Sequence, residues 1–157
     1  MERDDDRPVT GRFNGVEHRY PVRVYFDDTD LSGVVYHANY LRFMERARSD
    51  MLRLAGIDQR AAFEAGEGAY AVADLAIRYA APARLDDDLL VVSRLDTVRA
   101  ASVVIQQEVR RDGQVLTAAT VTAALVAPGG RPRRQPAAWT AIYHGLLPQE
   151  PQCTPSS

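Results

Sequence analysis

The residues best suited to chemistry lie in one short segment, Asp27-Asp28-Thr29-Asp30-Leu31-Ser32-Gly33-Val34-Val35-Tyr36-His37. This segment follows a strand pattern that ends near Phe26 and precedes a helical pattern that begins near His37. The first amide groups of a helix lack intrahelical partners and carry the positive end of the helix dipole. They can therefore bind a carbonyl oxygen that gains negative charge, as an oxyanion hole does.

Asp30 is the acid of this segment that could react. A carboxylate near the start of a helix can attack a thioester carbon or activate a water molecule for the attack. Because a thiol has a low pKa for a leaving group, one carboxylate and an oxyanion site could suffice without a separate general acid. The alternative for any Asp in such a segment is an ordinary turn or cap residue, and we interpret Asp27 and Asp28 in that way.

Histidine and metal chemistry are weaker alternatives. A lone histidine is usually structural, and His37 stands out only because it lies close to Asp30, whereas His18 and His144 have no such neighbours. The two carboxylates of Asp28-Thr29-Asp30 could bind magnesium, as in a magnesium-dependent phosphatase. Such an enzyme needs a parallel α/β sheet and a phosphate-binding lysine, which this sequence does not offer, so we set that interpretation aside. The scattered histidines and Cys153 have no recognisable metal-ligand spacing, so no metal or other cofactor is predicted.

Periodicity predicts the elements that position this segment. Apolar residues alternate from Tyr20 to Phe26, which is typical of a half-buried strand. A spacing of three and four from about His37 to Ala55 predicts a long helix that Gly56 ends, and Asp58 could cap a short second helix. The predicted apolar positions of the long helix are Tyr40, Phe43, Met44, Ala47, Met51, Leu54 and Ala55, with Arg48 among the polar positions.

The rest of the chain predicts strands. They span residues 70–79, 89–98, 102–111 and 114–126, and Asp112-Gly113 is a strong signal for a two-residue hairpin turn. One strand, one long helix and four further strands favour an α+β fold in which an antiparallel sheet covers the helix. We expect a flexible arm over residues 1–18, one domain over residues 19–147, with an apolar segment near 137–147, and a disordered tail over residues 148–157.

Composition excludes several classes of protein. The 157 residues carry a formal net charge of −2, with 46% apolar and 25% charged residues, so nothing indicates binding to nucleic acid. A single cysteine precludes an internal disulfide. There is no signal peptide and no apolar stretch long enough to span a bilayer, so we expect a soluble, cytoplasmic protein.

The segment VRVYFDDTDLSGVVYHANYLRFMERAR, supported by IRYAAPARLDDDL, resembles the hotdog-fold thioesterases of the 4-hydroxybenzoyl-CoA class. Within that class it is most similar to the acyl-CoA thioesterases associated with the Tol–Pal system, and the resemblance covers residues 19–136. It implies a five-stranded antiparallel sheet wrapped around one long central helix. It also implies hydrolysis of acyl-CoA, or of acyl groups on a carrier protein, to a free acid and a thiol.

The resemblance also implies roles for individual residues. Asp30 takes the catalytic position, and His37 belongs to the site, with its amide facing the thioester carbonyl. Tyr36 lines the substrate pocket beside Val35 and Gly33. Ser32 stands where related sequences often have glycine.

The resemblance further implies an assembly and a place for CoA. The family forms homodimers joined at sheet edges, often paired into homotetramers, with CoA at the subunit interface. Arg131, Arg133 and Arg134, and Arg84 as a weaker candidate, could contact the CoA phosphates, because guanidinium groups match phosphate oxygens. A solvated basic loop is an equal alternative for the first three.

Two other functions are compatible with the same fold. One is a non-catalytic acyl-binding or scaffold protein of an envelope-associated or lipid-synthesis complex, since fold alone does not establish activity. The other is a dehydratase, whose histidine and acid would surround a β-hydroxyacyl group. The pairing of Asp30 with His37 favours the hydrolase.

Overall fold

The computed structural model describes residues 6–149, which form six strands and three α-helices. The strands are β1 (Arg12–Asn14), β2 (Glu17–Arg23), β3 (Ala69–Tyr79), β4 (Asp88–Val98), β5 (Ser102–Arg111) and β6 (Gln114–Val126). The helices are α1 (Asn39–Leu54), α2 (Gln59–Glu64) and α3 (Ala137–Leu146). The strands form a single antiparallel sheet in the order β1-β2-β4-β5-β6-β3.

The sheet confirms the predicted α+β class but not the predicted number of strands. Six strands are present among the described residues instead of five, because Arg12–Asn14 folds back and pairs with the start of β2, with Phe13 opposite His18. These residues were expected in the flexible arm, since polar side chains and glycines hide the short alternation of an edge strand. Residues 150–157, which include most of the predicted tail, lie outside the described residues.

Helix α1 packs its apolar face against the sheet, mainly on β2 and β4, as the periodicity predicts. Tyr40, Phe43, Met44, Ala47 and Met51 are all buried, and they meet valine and leucine side chains of the strands. The end of the predicted stripe is wrong at one position. Leu54 is 43% exposed, because the helix turns that face to solvent in its last turn.

Arg48 also differs from the prediction, since it is buried rather than exposed. Its Nη1 donates a hydrogen bond of 2.8 Å to Oε1 of the buried Gln107, and its Nη2 pairs with Glu45. Gln107 in turn donates to the carbonyl of Met44 and to the hydroxyl of Ser93. A buried charge is tolerated here because each polar group has a partner.

The predicted glycine after α1, the cap of α2 and the hairpin turn are confirmed. Gly56 follows α1 with a φ of 91°, and the Asp58 carboxylate accepts a hydrogen bond of 2.9 Å from the amide of Ala61 at the start of α2. Asp112 and Gly113 have φ values of 49° and 81° and join β5 to β6 in a two-residue turn. Both residues of such a turn need positive φ, which Asp and Gly adopt more easily than most residues.

Strand β3 lies at one edge of the sheet and pairs only with β6 within residues 6–149. A register shift between Val72 and Asp74 interrupts the alternation that the sequence predicts. Val72, Leu75 and Tyr79 remain 50%, 37% and 44% exposed. A long strand with one free edge and exposed apolar side chains is an association surface.

The apolar segment near residues 137–147 forms α3, which covers one end of the sheet and buries Tyr143. Gln135, just before α3, fixes this position because its Nε2 donates to the carbonyls of Arg99 and Ser102. The Tyr143 hydroxyl lies 2.8 Å from that of Tyr70 on β3. No helix in residues 6–149 is long and apolar enough to cross a bilayer.

Candidate active site

The reactive segment forms a tight loop between β2 and α1. Strand β2 ends at Arg23, and Phe26–Asp28 forms a single turn of 3₁₀-helix. Phe26, which the alternation predicts to face the core, is therefore 81% exposed. Val24 is the last residue of the alternating pattern to be fully buried. The strand thus ends three residues earlier than predicted, at Arg23 instead of Phe26, and the chain returns towards the start of α1.

Asp28 ties this loop to the helix. One carboxylate oxygen accepts a hydrogen bond of 2.8 Å from the amide of Tyr25, and the other accepts from the side-chain amide of Asn39. The carbonyl of Asp28 also accepts a hydrogen bond of 2.9 Å from the amide of Tyr36. Asp28 is thus a turn former, as predicted, and also connects the loop to the first residue of α1. Sequence reasoning did not identify Asn39, whose buried side chain completes this link.

Asp30 lies on the exposed side of the loop, two residues beyond this link. Its Oδ1 accepts hydrogen bonds from the amide of Ser32, at 2.8 Å, and from the Ser32 hydroxyl. Its carbonyl accepts from the amide of Gly33, whose φ of 81° suits glycine. The hydrogen bonds from Ser32, with a smaller contribution from the nearby His37, hold the pKa of Asp30 below its usual value.

The start of α1, at the far end of the same loop, offers free amides. The helix begins at Asn39, and Ala38 is its N-cap residue. The Tyr36 carbonyl accepts a hydrogen bond of 2.8 Å from the amide of Asn39, which fixes the peptide that carries the amide of His37. Within residues 6–149 no acceptor is bonded to the amides of His37 and Ala38. These are the donors that an oxyanion site needs.

Tyr79, at the end of β3, fixes the following peptide group, which carries the amide of Ala38. Its hydroxyl donates a hydrogen bond of 2.7 Å to the carbonyl of His37, and its ring centroid lies 6.3 Å from that of His37. Partial burial raises the pKa of Tyr79, so the hydroxyl stays protonated and remains a donor. The periodicity of the sequence predicts that Tyr79 lies on a strand. It does not predict that Tyr79 contacts the start of α1, which is about forty residues away in sequence.

Two further residues that the sequence predicts to line the pocket, Tyr36 and Val35, lie in different environments. Tyr36 is exposed, and its ring centroid lies 4.5 Å from that of His37, so the two share the loop surface. Val35 is instead buried in the core, where its amide donates to the carbonyl of Ala83. Val35 therefore anchors the loop rather than lining its open side.

The predicted phosphate-binding arginines lie at two ends of the molecule. Arg84 is exposed and pairs through its backbone with Val34, beside the reactive loop. Arg131, Arg133 and Arg134 are exposed beyond the end of β6, and Arg133 donates to the carbonyl of Gly66 just before β3. The two ends of β3 are about 33 Å apart at 3.3 Å per residue. One chain therefore does not bring these three arginines to Asp30.

A narrow cleft of about 40 Å³ opens between α1 and β3. Its lining combines the buried Tyr143 and its neighbour Tyr70 with the exposed Glu45 and Ser49. The lining residues are Glu45, Arg48, Ser49, Leu52, Gln59, Tyr70, Ala71, Val72, Val103, Ile105, Ala123 and Tyr143. The α1 residues that line the cleft lie about 9–20 Å along the helix from Asn39. Its β3 residues, Tyr70, Ala71 and Val72, lie at least about 23 Å along the strand from Tyr79, so most of this cleft is remote from the loop that holds Asp30 in the same chain.

Metal chemistry finds no support in the described part of the chain. No group of three or more histidine, cysteine, aspartate or glutamate side chains within residues 6–149 is placed to hold a metal ion. The Asp28 carboxylate, which a magnesium site would require, is already bonded to Tyr25 and Asn39.

Comparison with known proteins identifies the family. The profile of the thioesterase superfamily matches residues 32–118, more than half of the chain. The acyl-CoA thioesterase YbgC of Haemophilus influenzae is 41% identical over 128 residues, covering 81% of this chain and 94% of that protein. The acyl-CoA thioester hydrolase YbgC of Escherichia coli O157:H7 is 43% identical over 111 residues, covering 70% and 82%.

A solved structure supports the same assignment. The crystal structure of a probable thioesterase from Bartonella henselae superposes with a TM-score of 0.72 at 36% sequence identity. The match covers 76% of this chain and 99% of that one, so it includes the sheet and the central helix. The chain therefore belongs to the thioesterase superfamily and has the hotdog fold.

Proposed function

We propose that this protein hydrolyses acyl-CoA to a carboxylic acid and CoA, with Asp30 as the essential carboxylate. The observation that carries the proposal is a single short loop that holds the ionised carboxylate of Asp30 and leads directly to the free amides at the start of α1. The acyl-CoA thioesterases of Haemophilus influenzae and Escherichia coli support the choice of substrate. Acyl groups on a carrier protein are a second substrate class with the same thioester.

The residues suit a reaction at a thioester carbonyl. The amide of His37 binds the carbonyl oxygen and stabilises the negative charge that develops on it. Asp30 then acts through the oxygen that Ser32 does not bind. As a base it takes a proton from water while the water oxygen attacks the carbonyl carbon, and the C–S bond breaks with its electron pair leaving on sulfur. The proton passes to the thiolate or to solvent.

As a nucleophile, Asp30 attacks the same carbon itself. The thiolate leaves, and a mixed anhydride joins the acyl group to the Asp30 side chain. Water then cleaves the anhydride and restores the carboxylate. A single turnover in ¹⁸O-labelled water separates the two routes, because only anhydride cleavage can leave label in the side chain of Asp30.

A second copy of the chain would complete the substrate site. Antiparallel pairing of two β3 strands, centred near the middle of the strand, puts Tyr79 of one copy opposite the Ala69–Ala71 end of the other. The cleft between α1 and β3 of the second copy would then face His37 and Asp30 of the first. Such a pair can also bring Arg131, Arg133 and Arg134 to the CoA phosphates. Edge-to-edge dimers, and tetramers built from them, are thus part of the proposal.

The deciding experiment is a steady-state assay of thiol release with a panel of acyl-CoA and acyl-carrier-protein substrates. We expect turnover by the wild-type protein and a loss of about 10²–10⁴-fold in kcat for Asp30→Asn. Asp27→Asn, a change of a neighbouring exposed acid, serves as the matched control and should retain activity. Normal turnover by Asp30→Asn contradicts the mechanism. Retention of one acyl ligand without any turnover would favour a binding protein. The substrate class also supports the expectation of a cytoplasmic location.

A further inference from the structure

Ser32 makes two contacts with the same oxygen of Asp30. Its amide lies 2.8 Å from Oδ1, and its hydroxyl donates to Oδ1 as well. Within residues 6–149 no hydrogen bond is made to the other oxygen, Oδ2. The carboxylate of Asp30 therefore has one fixed oxygen and one free oxygen.

The backbone around this pair is itself fixed. The amide of Asp30 donates to the carbonyl of Val34 at 3.0 Å, and the carbonyl of Asp30 accepts from the amide of Gly33 at 3.0 Å. Thr29 and Val35 pair across the base of the loop. With the backbone fixed, the Asp30 carboxylate can still move by rotation about its side-chain bonds. The two hydrogen bonds from Ser32 restrict that rotation.

We propose that Ser32 is a positioning residue, which holds Oδ1 of Asp30 through its hydroxyl and so presents Oδ2 to the thioester or to the attacking water. The inference rests on the proposed function of Asp30. A glycine at position 32 would supply the amide but not the hydroxyl, so the second contact is specific to the serine. A hydroxyl donated to a carboxylate also stabilises its ionised form.

The hydroxyl has a predictable effect on pH dependence. Since donation from Ser32 lowers the pKa of Asp30, the ionised and reactive form persists to lower pH than it would without the hydroxyl. Loss of the hydroxyl raises that pKa, and the acid limb of the kcat profile moves to higher pH. Loss of orientation lowers kcat on the plateau, whereas KM changes little, because Ser32 holds the reacting carboxylate and not the bulk of the substrate.

The test compares four variants with the acyl-CoA that the wild-type protein hydrolyses fastest. Ser32→Ala and Ser32→Gly both remove the hydroxyl, Ser32→Thr retains it, and Thr140→Ala removes an exposed hydroxyl on α3 that bonds only the local backbone. We expect equal upward shifts of the acid limb and a lower plateau kcat for the first two. Ser32→Thr and Thr140→Ala should follow the wild-type profile.

A second measurement is independent of activity. The pKa of Asp30 can be read by NMR from its side-chain carboxyl carbon, assigned with Asp30→Asn, in the wild-type protein and in Ser32→Ala. The pKa should rise in the variant. Unchanged values of both the NMR pKa and the acid limb would overturn the role of Ser32. If instead no acyl thioester is hydrolysed by the wild-type protein, the proposed function fails while the NMR titration still tests the contact.

Discussion

At the scale of single residues, acids only two positions apart have different roles because their surroundings differ. Asp28 uses both carboxylate oxygens to bind the amide of Tyr25 and the side chain of Asn39. Asp30 binds only Ser32 and leaves one oxygen free. Asp28 thus fixes the loop, and Asp30 provides the carboxylate oxygen that is free to react.

The link between Asp28 and Asn39 leads to a first prediction. Asn39→Ala removes a donor from a charged and partly buried acceptor, so the free energy of unfolding should fall by about 1–3 kcal/mol. Activity should fall as well, because the amide of His37 loses its fixed place at the start of α1. Urea unfolding and steady-state kinetics measure the two effects. Asn39→Asp, which places two carboxylates together, should be worse than Asn39→Ala at neutral pH and recover partly in acid.

At the scale of elements, β3 and α1 meet at the active site through one side chain. Tyr79 leaves the end of β3 and donates to the carbonyl of His37 at the start of the helix. Its ring also packs edge-on against that of Tyr40, with centroids 5.6 Å apart. The sheet therefore sets the position of the free amides.

Tyr79→Phe tests this contact while it keeps the ring. We expect kcat to fall about tenfold, less than the roughly 10²–10³-fold cost of removing an oxyanion donor itself. KM and thermal stability should change little, since the hydroxyl lies at the surface. Tyr20→Phe, a similar change on β2, is the control. A rise in KM with constant kcat would assign Tyr79 to substrate binding instead.

The elements were largely predictable from the sequence, whereas contacts between distant elements were not. The α1 stripe, the Asp58 cap and the Asp112-Gly113 turn follow from local periodicity and turn chemistry, and all three are confirmed except for Leu54 at the end of the stripe. The burial of Arg48 depends on Gln107, a partner on β5 that no local pattern reveals. Strand β1 was missed because an edge strand needs little apolar alternation.

The site was predictable to a similar extent. Asp30 and His37 share a loop, so their spacing predicts their proximity, and His37 contributes to the lowered pKa of Asp30. Val35 is adjacent in sequence but buried in the core, because neighbouring residues of an extended segment point in opposite directions. Tyr79 and Asn39 enter the site only through the fold.

At the scale of the whole molecule, the proposed shared site depends on the free edge of β3. In one chain most of the narrow cleft between α1 and β3 is remote from Asp30. Strand β3 also leaves Val72, Leu75 and Tyr79 exposed, and Val72 lines that cleft. Pairing of two β3 edges would cover those side chains and supply each Asp30 with the cleft of the other copy.

Leu75→Lys tests this arrangement at the middle of β3. Since two copies of Leu75 would lie close together in the pair, two lysines should repel each other and yield a monomer. Activity should be lost with the dimer, although circular dichroism should still show a folded chain. Val115→Lys changes a residue of equal exposure, 37%, on β6 and should leave mass and activity unchanged. A Leu75→Lys monomer with full activity contradicts a shared site. Sedimentation velocity measures the mass.

The sheet order also has a consequence for how the chain folds during synthesis. Strand β3 emerges from the ribosome soon after α1, but its partner β6 is made only after β4 and β5. Until then β3 has no neighbour in the sheet. Pairing between strands that are distant in sequence slows folding and leaves aggregation-prone intermediates. Chains truncated before β6, and therefore unable to pair β3, are expected to depend on chaperones to remain in solution.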